Sequence, residues 1–565
     1  MSEYILLFLC VALVAVWVKP LGGYMAAVFL ELPHPLARPL GWLERITYKA
    51  CGIDPETQMS WRSYSFCVCA FGMYGFLLLF AIFMLQGMLP LNPENVTGMS
   101  AHAAFNASAS FITNTNWQSY TAESQMSYFS QTVGILVQMF ISAATGLAVA
   151  VALCRAIAAR RSTNIGNFWV DMVRSTIYIL LPLSIVFGFI LVSQGVVQNY
   201  GAFVSFTSLE GVEGKIAQGP AAFQTAIKML GSNGGGFFTG NSAHPYENPN
   251  AITNMLQIAA ILLLPVTFVY TAGLLMRDRR QAYMMLAAML VLFIPLTYMI
   301  INAEMAPSPK FDANVIDISE GNMEGKETRF GIASSAFWAA ATTTTANGSV
   351  NSAHDSYAPL SGFAMMALMQ FGEVIFGGVG SGIYGMIIYV VMAVFVAGLM
   401  VGRTPEFLGK KLTPFDVKMA AIALLVPCFL TLVGALLAVS TEAGRIAISN
   451  PGAHAFSQVL YAYTSASNNN GSAFAGLAAS SGFYDITLGI CMILGRYGII
   501  LCALGLAGSL AGKNITPVSA GTLPTHTPLF VIMLVMVIIT LGLLNYIPVL
   551  ALGPLAEHLI LMGHL

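Results

Sequence analysis

Charge is what this sequence has least of. Only 9% of its 565 residues are Asp, Glu, Lys or Arg, against 57% hydrophobic residues and a mean hydropathy of +0.74. Soluble chains carry about 25% charged residues, so a water-soluble globule with a large core is excluded. Metal-site cysteine spacing is missing too: of the eight cysteines the closest pair, Cys67 and Cys69, is separated by one residue rather than two. They read as polarizable packing groups. No G-x-x-x-x-G-K-[ST] phosphate loop occurs, and no soluble stretch is large enough to bind ATP, so any energy input must come from elsewhere. No histidines pair within apolar runs, which removes a haem or quinone redox subunit. Residues 1–3 lack a basic flank, so the first apolar run is expected to persist as a span rather than be cleaved.

What the chain does have is long apolar runs, such as 4–18, 258–276, 385–400 and 529–544. A helix crosses the hydrocarbon layer in about 20 residues. Ten spans are expected, starting near Tyr4, Tyr64, Tyr128, Asp171, Ala251, Gln281, Met365, Asp416, Phe483 and Pro528. The basic residues test that count. Seventeen of the 24 Lys and Arg fall in the odd-numbered loops, among them Arg38, Arg155, Arg277, Arg403, Lys410 and Lys513. The even-numbered loops are longer in total and hold only Lys215, Lys228, Lys310, Lys326, Arg329 and Arg445. This alternation follows the positive-inside rule, and it puts both termini and the long loops outside. Each long loop also holds a semi-apolar stretch of about ten residues. That is too short to cross, and is tolerated at membrane depth only inside protein or against a cavity.

These stretches repeat. Aligning Asn116, Gly234, Gly348 and Gly471 puts Thr115, Asn233, Asn347 and Asn470 one residue earlier, and Asn114, Ser232, Ala346 and Asn469 two earlier. Phe105, Phe223, Phe337 and Leu460 stand eleven residues before the anchors. Each anchor closes a short apolar helix with a small polar turn between two spans. One such turn would be an ordinary loop; four at matched spacing argue for a designed ring. The fold expected is an all-α polytopic membrane protein with four pseudo-repeated membrane–pore–membrane units around a central filter. The expected divisions are a leading span and cytoplasmic loop at 1–60, repeats at 61–165, 166–280, 281–412 and 413–515, and a trailing span at 516–565.

A bare cation must exchange its water shell for protein oxygens, which filters supply from backbone carbonyls. Glycine opens the backbone conformations that turn such carbonyls inward, and Asn, Thr and Ser add side-chain oxygens. The four turns, TNTN at 113–116, SNGGG at 232–236, ANGS at 346–349 and NNNGS at 468–472, differ, so the ring has unequal quadrants. The twelve residues at the three aligned positions are the candidate cation ligands. Five glycines at 376–385, including Gly377, Gly378, Gly380 and Gly382, break or bend the seventh span; close packing by small residues is the alternative. Glu373 and Arg496 sit at membrane depth, either as a structural ion pair or with Arg496 as a barrier to a cation. Arg403 belongs to the basic residues flanking that span, as an anchor or a coupling group. His244, His354 and His526 read as loop-ordering groups, and Glu94, Glu123 and Glu247 as acids of a solvated outer face.

The motifs TNTNWQSY at 113–120, GSNGGGFF at 231–238, NSAHPYENP at 241–249 and NNNGSAFAGL at 468–477 resemble the potassium-binding (A) subunit family, KdpA, of the bacterial Kdp potassium-transporting ATPase. NMEGKETRFG at 322–331, FGGVGSGIYG at 376–385, GRTPEFLGKK at 402–411 and GTLPTH at 521–526 extend the resemblance over essentially the whole chain, while TTTTANGSVNSAHDS at 342–356 departs at its start. The resemblance implies the potassium-transporter superfamily fold, potassium as the bound ion without organic cofactor, and a gating loop at the glycine cluster. It also implies a non-catalytic role in an inner-membrane uptake pump with a P-type ATPase subunit (KdpB), a single-span subunit (KdpC) and a small peptide (KdpF). Membrane lipid is expected as a further partner, and nucleic acid is not. A self-sufficient potassium channel or symporter is the alternative.

Overall fold

The computed structural model describes residues 2–307, 309, 321–372, 374–402, 404–517 and 523–564. Among the described residues, ten helices are long and apolar enough to cross a membrane: α1 (Tyr4–Phe29), α3 (Trp61–Met88), α5 (Ser130–Ala158), α6 (Phe168–Ser193), α8 (Ala251–Leu275), α9 (Arg279–Met305), α12 (Ser381–Met400), α13 (Pro414–Ser440), α15 (Gly482–Ala511) and α16 (Pro528–Leu561). A surface helix, α2 (Ala37–Cys51), follows α1. Four short helices, α4 (Ala101–Ile112), α7 (Ala221–Leu230), α10 (Ile332–Thr344) and α14 (Gly452–Ser467), lie in the long even-numbered loops.

Local chemistry sets the helix starts. Asn167, Asp278, Ser481 and Thr527 accept hydrogen bonds from backbone N–H groups of the first turns of α6, α9, α15 and α16. Asn250 with Thr253, and Thr413 with Asp416, form reciprocal capping boxes on α8 and α13. Spans α5, α8 and α12 are about three-quarters buried, whereas α1 is 22% buried. An inner ring of spans therefore surrounds the short helices, and α1, α3 and α16 form the lipid-facing rim. All eight cysteines are free.

Nine of the ten spans start within three residues of their expected positions. The seventh differs. A helix α11 (Pro359–Gln370) ends before the glycine cluster, the described residues between it and Ser381 are non-helical, and α12 begins at Ser381. The chain is broken at the glycines, as their density suggested, and the crossing helix begins at Ser381 rather than near Met365. The reason is steric: a Cβ on Gly380 would lie 2.2 Å from the Gly146 carbonyl oxygen of α5, and its φ of +89° is closed to most side chains.

A charged clamp ties the far end of α16 to the fourth short helix. His454 of α14 bonds Glu557 through Nδ1 (2.8 Å) and Asp355 through Nε2 (3.2 Å). Asp355 and then Glu557 hold the imidazole protonated, pushing its pKa up to about 10.

Candidate ion-binding site

The short helices end alike. At the second residue before each anchor the backbone is left-handed, with φ of 64° at Asn114, 51° at Ser232, 48° at Ala346 and 52° at Asn469. The next residue's N–H reaches back five residues in all four: Thr115 to Ser110 O (3.0 Å), Asn233 to Lys228 O (3.0 Å), Asn347 to Thr342 O (3.1 Å) and Asn470 to Ser465 O (2.9 Å). This is the Schellman way of closing a helix, with Asn, Ser, Ala and Asn where glycine is usual. A left-handed alanine or serine costs on the order of 1–2 kcal/mol, so the surrounding packing holds the turn. The anchors then turn left-handed again, with φ of 54° at Asn116, 93° at Gly234, 83° at Gly348 and 98° at Gly471.

Those second turns interlock. A Cβ on Gly234 would stand 1.8 Å from Asn347 O, one on Gly348 2.1 Å from Asn470 O, and one on Gly471 1.9 Å from Thr115 O. Each glycine thus presses its Cα on the carbonyl of the next segment, and the last returns to the first. At the remaining junction the anchor is Asn116, whose Cβ meets the space above Gly235, 3.0 Å from where a side chain there would begin. Side-chain amides repeat the pattern: Asn347 Nδ2 donates to Lys228 O (2.9 Å) and Asn470 Nδ2 to Thr342 O (2.8 Å). Across the odd junction, Asn114 Nδ2 donates to Ser232 O (2.6 Å) and Asn233 Nδ2 to Asn114 Oδ1 (2.7 Å). Asn469 Nδ2 donates to Thr115 Oγ1 (2.9 Å), closing the ring.

All four anchors line one cavity of about 400 Å³. On its lining Asn116 Oδ1, and elsewhere in the four turns and the last turn of α10 Ser232 Oγ, Asn233 Oδ1, Thr342 Oγ1, Thr344 Oγ1 and Asn469 Oδ1, are buried and make no hydrogen bond within the protein. Buried oxygens of this kind call for a ligand. The C-terminal, partly negative ends of the four short helices all meet here. The twelve aligned residues carry no charge, so the site offers neutral oxygens alone. That suits a weakly hydrated monovalent cation better than a divalent one, which takes carboxylates.

The broken span lies against the third segment, with Gly377 N donating to Thr344 O (3.2 Å). Gly378 and Gly382 are part of the same fold of chain: a Cβ on Gly378 would lie 2.6 Å from Ser381 Oγ, and one on Gly382 1.6 Å from Phe376 O. Arg496 is 6% exposed, and its Nη2 and Val379 O crowd the same point above Gly146, at 3.0 and 2.5 Å from a Cβ built there. Its neighbour Gly495 packs against Ser467 O of the fourth segment. Arg496 therefore sits between that segment and the glycine loop. Glu373 and Arg403 lie outside the described residues, and with them the proposed Glu373–Arg496 pair.

The family profile described as "Potassium-transporting ATPase A subunit" matches residues 7–559. The chain belongs to this family. It is 53% identical over 559 residues to the "Potassium-transporting ATPase potassium-binding subunit" of Herpetosiphon aurantiacus, with 96% of each chain covered. The subunit of the same name from Sorangium cellulosum is 52% identical, again with 96% of each covered. The potassium transporter TrkH from Vibrio parahaemolyticus superposes with a TM-score of 0.52 at 13% identity, over 89% of this chain and 97% of its own. That likeness is one of fold.

One part of this member of the family was not foreseen. Lys228, in the last turn of α7, is fully buried, and its Nζ contacts Glu247 Oε2 (2.6 Å), Asn241 Oδ1 (2.6 Å) and Ser242 Oγ (2.9 Å). Asn241 Nδ2 in turn donates to Gly234 O (2.8 Å), so a buried ion pair holds an anchor carbonyl through one amide. Glu247, expected on a solvated face, is 0% exposed and also accepts from Phe238 N (2.8 Å). It is inside because Lys228 is. Glu94 and Glu123 are likewise engaged, by Lys215 (2.8 Å) and by Thr239 N (2.7 Å). His354 is a buried packing group bonded to Tyr461 OH (3.0 Å), which reaches Ser472 of the fourth segment (2.8 Å).

Removing one partner of a buried pair strands the other charge and costs about 3–5 kcal/mol. Lys228→Met and Glu247→Gln are each expected to lower the unfolding temperature of the purified protein sharply, and the double variant to recover most of the loss. Thermal unfolding of the three variants checks this; additive losses in the double would mean the pair is not coupled.

Proposed function

We propose that this chain binds and selects potassium for an ATP-driven uptake pump. The twelve aligned residues form the filter, and an ATP-hydrolysing partner supplies the energy. The observation that carries the reading is the ring: four short helices ending in the same two left-handed turns around one cavity of neutral oxygens. Their backbone groups replace water around a monovalent cation without the strong field that would retain a divalent one. The names of the relatives, potassium-binding subunits of a potassium-transporting ATPase, support the ion and the need for other subunits. They favour a pump subunit over a self-sufficient channel or symporter. The resemblance motifs extend the proposal to KdpB, KdpC and KdpF as partners.

In this proposal the glycine loop carrying Gly377, Gly378, Gly380 and Gly382, together with Arg496, works beneath the filter. The guanidinium is permanently charged and opposes a cation passing straight on, which favours a sideways path to the partner. Glu373 and Arg403 are proposed as further coupling groups.

Potassium-stimulated ATP hydrolysis and rubidium flux of the reconstituted complex test both ideas. Gly234→Asp puts a carboxylate where no Cβ fits, and should raise the half-saturating potassium concentration at least tenfold with poorer discrimination against rubidium. Arg496→Met should leave an assembled complex that leaks rubidium without ATP. Unchanged half-saturation and selectivity in the first variant would refute the filter assignment; a tight, coupled second variant would refute the barrier.

The orientation is proposed from the basic loops: long loops and both termini outside an inner, cytoplasmic membrane. Cysteines at Ser208, in the turn between the paired strands Val204–Thr207 and Glu213–Ile216, and at Ser162, both half-buried beside exposed neighbours, check it. An impermeant thiol reagent added outside should label the first and spare the second, and the reverse labelling would invert the topology.

A further inference from the structure

Helix α2 has one acid and three bases, and the structure separates them. Glu44 faces inward, where its Oε1 accepts from Arg174 Nε (3.0 Å) and Tyr48 OH (2.8 Å) and its Oε2 accepts from Tyr178 OH (2.6 Å). Leu40 and Leu43 pack beside it on Val28, Ile177 and Tyr178. Gly41 is buried on this side, where even a Cβ would be in ordinary contact, 3.8 Å from Tyr178 OH. The opposite face carries Arg38, Trp42, Arg45, Ile46 and Lys49 at helical three- and four-residue spacing, all exposed. Trp42 is 54% and Ile46 55% exposed. An indole and an aliphatic side chain thus stand among three cations, with no acid of the helix on that side.

The position of α2 says what covers this face. It is joined to the end of α1 and docked on the first turns of α6, so it lies at the membrane end that carries the basic loops. Its fifteen residues include four charges, so it is no span. At its C-terminal end opens a largely apolar crevice of about 780 Å³, lined by Thr47, Cys51, Phe71, Ile141, Trp169 and Met172. The crevice runs from the loop into the span region.

We propose that α2 is a docking helix for anionic phospholipid. Arg38, Arg45 and Lys49 take the acidic headgroups, Trp42 and Ile46 enter the boundary between headgroups and acyl chains, and the crevice receives a chain. An acidic protein segment would match the cations but not the interleaved apolar groups or the crevice. The inference is independent of which ion the filter takes.

The test reads Trp42 directly. The assembled complex is placed in nanodiscs of phosphatidylcholine and phosphatidylglycerol, with bromine on one lipid or the other at equal mole fraction. The quenching of Trp42 is taken as the difference from Trp42→Phe. Brominated phosphatidylglycerol should quench about twofold more or better at low salt. That preference should vanish in Arg38→Gln/Arg45→Gln/Lys49→Gln and fade at high salt. Equal quenching by the two lipids, or a preference that survives the triple substitution, would overturn the proposal. So would absence of quenching by either lipid, because the face would then be covered by a protein partner. Potassium-stimulated hydrolysis in the triple variant verifies assembly.

Discussion

Three glycine α-carbons pressed against the carbonyl oxygens of neighbouring segments hold the centre of this protein together. Gly234 on Asn347, Gly348 on Asn470 and Gly471 on Thr115 leave no room for a Cβ, which would come within 2.1 Å of the oxygen. Any side chain at these positions would push two quadrants apart. The four helix ends can therefore meet only if their last residues are left-handed twice in succession. The Schellman bonds, the asparagine amides reaching across junctions and the broken seventh span all serve that closeness.

The ring is not symmetric, and the departures are physical rather than incidental. Asn116 replaces the glycine in the first quadrant and keeps φ at 54°, which asparagine tolerates better than most residues. Its junction is held by hydrogen bonds that the Asn114 and Asn233 amides donate to Ser232 O and Asn114 Oδ1. The second quadrant has a lysine where the others have Ser110, Thr342 and Ser465. That lysine turns away from the ring into Glu247 and so contributes no net charge to it. In this quadrant the oxygens of the turn stay neutral because the lysine beside them has a buried counter-ion.

Much of this was legible in the sequence. The ten spans followed from apolar runs checked by basic loops, and the fourfold alignment picked out the four anchors, Asn116, Gly234, Gly348 and Gly471, that line one cavity. A repeat of turn chemistry survives divergence because backbone conformation restricts residue choice more tightly than packing does. The Lys228–Glu247 pair was missed although its signal was present. An ionisable residue within an apolar half-helix is a functional candidate by default, yet Lys228 had been counted among outer-loop bases. Its partner stands nineteen residues on, across a turn that no periodicity predicts. The break before Ser381 was half legible: glycine density marked it, but the approach of Gly380 to Gly146 depends on a helix more than two hundred residues away.

The central claim of the proposal is that a cation is held on the axis of four unequal turns by neutral oxygens. Anomalous diffraction or high-resolution cryo-microscopy of the complex in thallium, a potassium mimic with strong scattering, addresses it most directly. The account requires density on the axis bounded by segments 113–116, 232–236, 346–349 and 468–472, lost when thallium is replaced by sodium. Thallium bound elsewhere, with the ring unoccupied under saturating conditions, would contradict it.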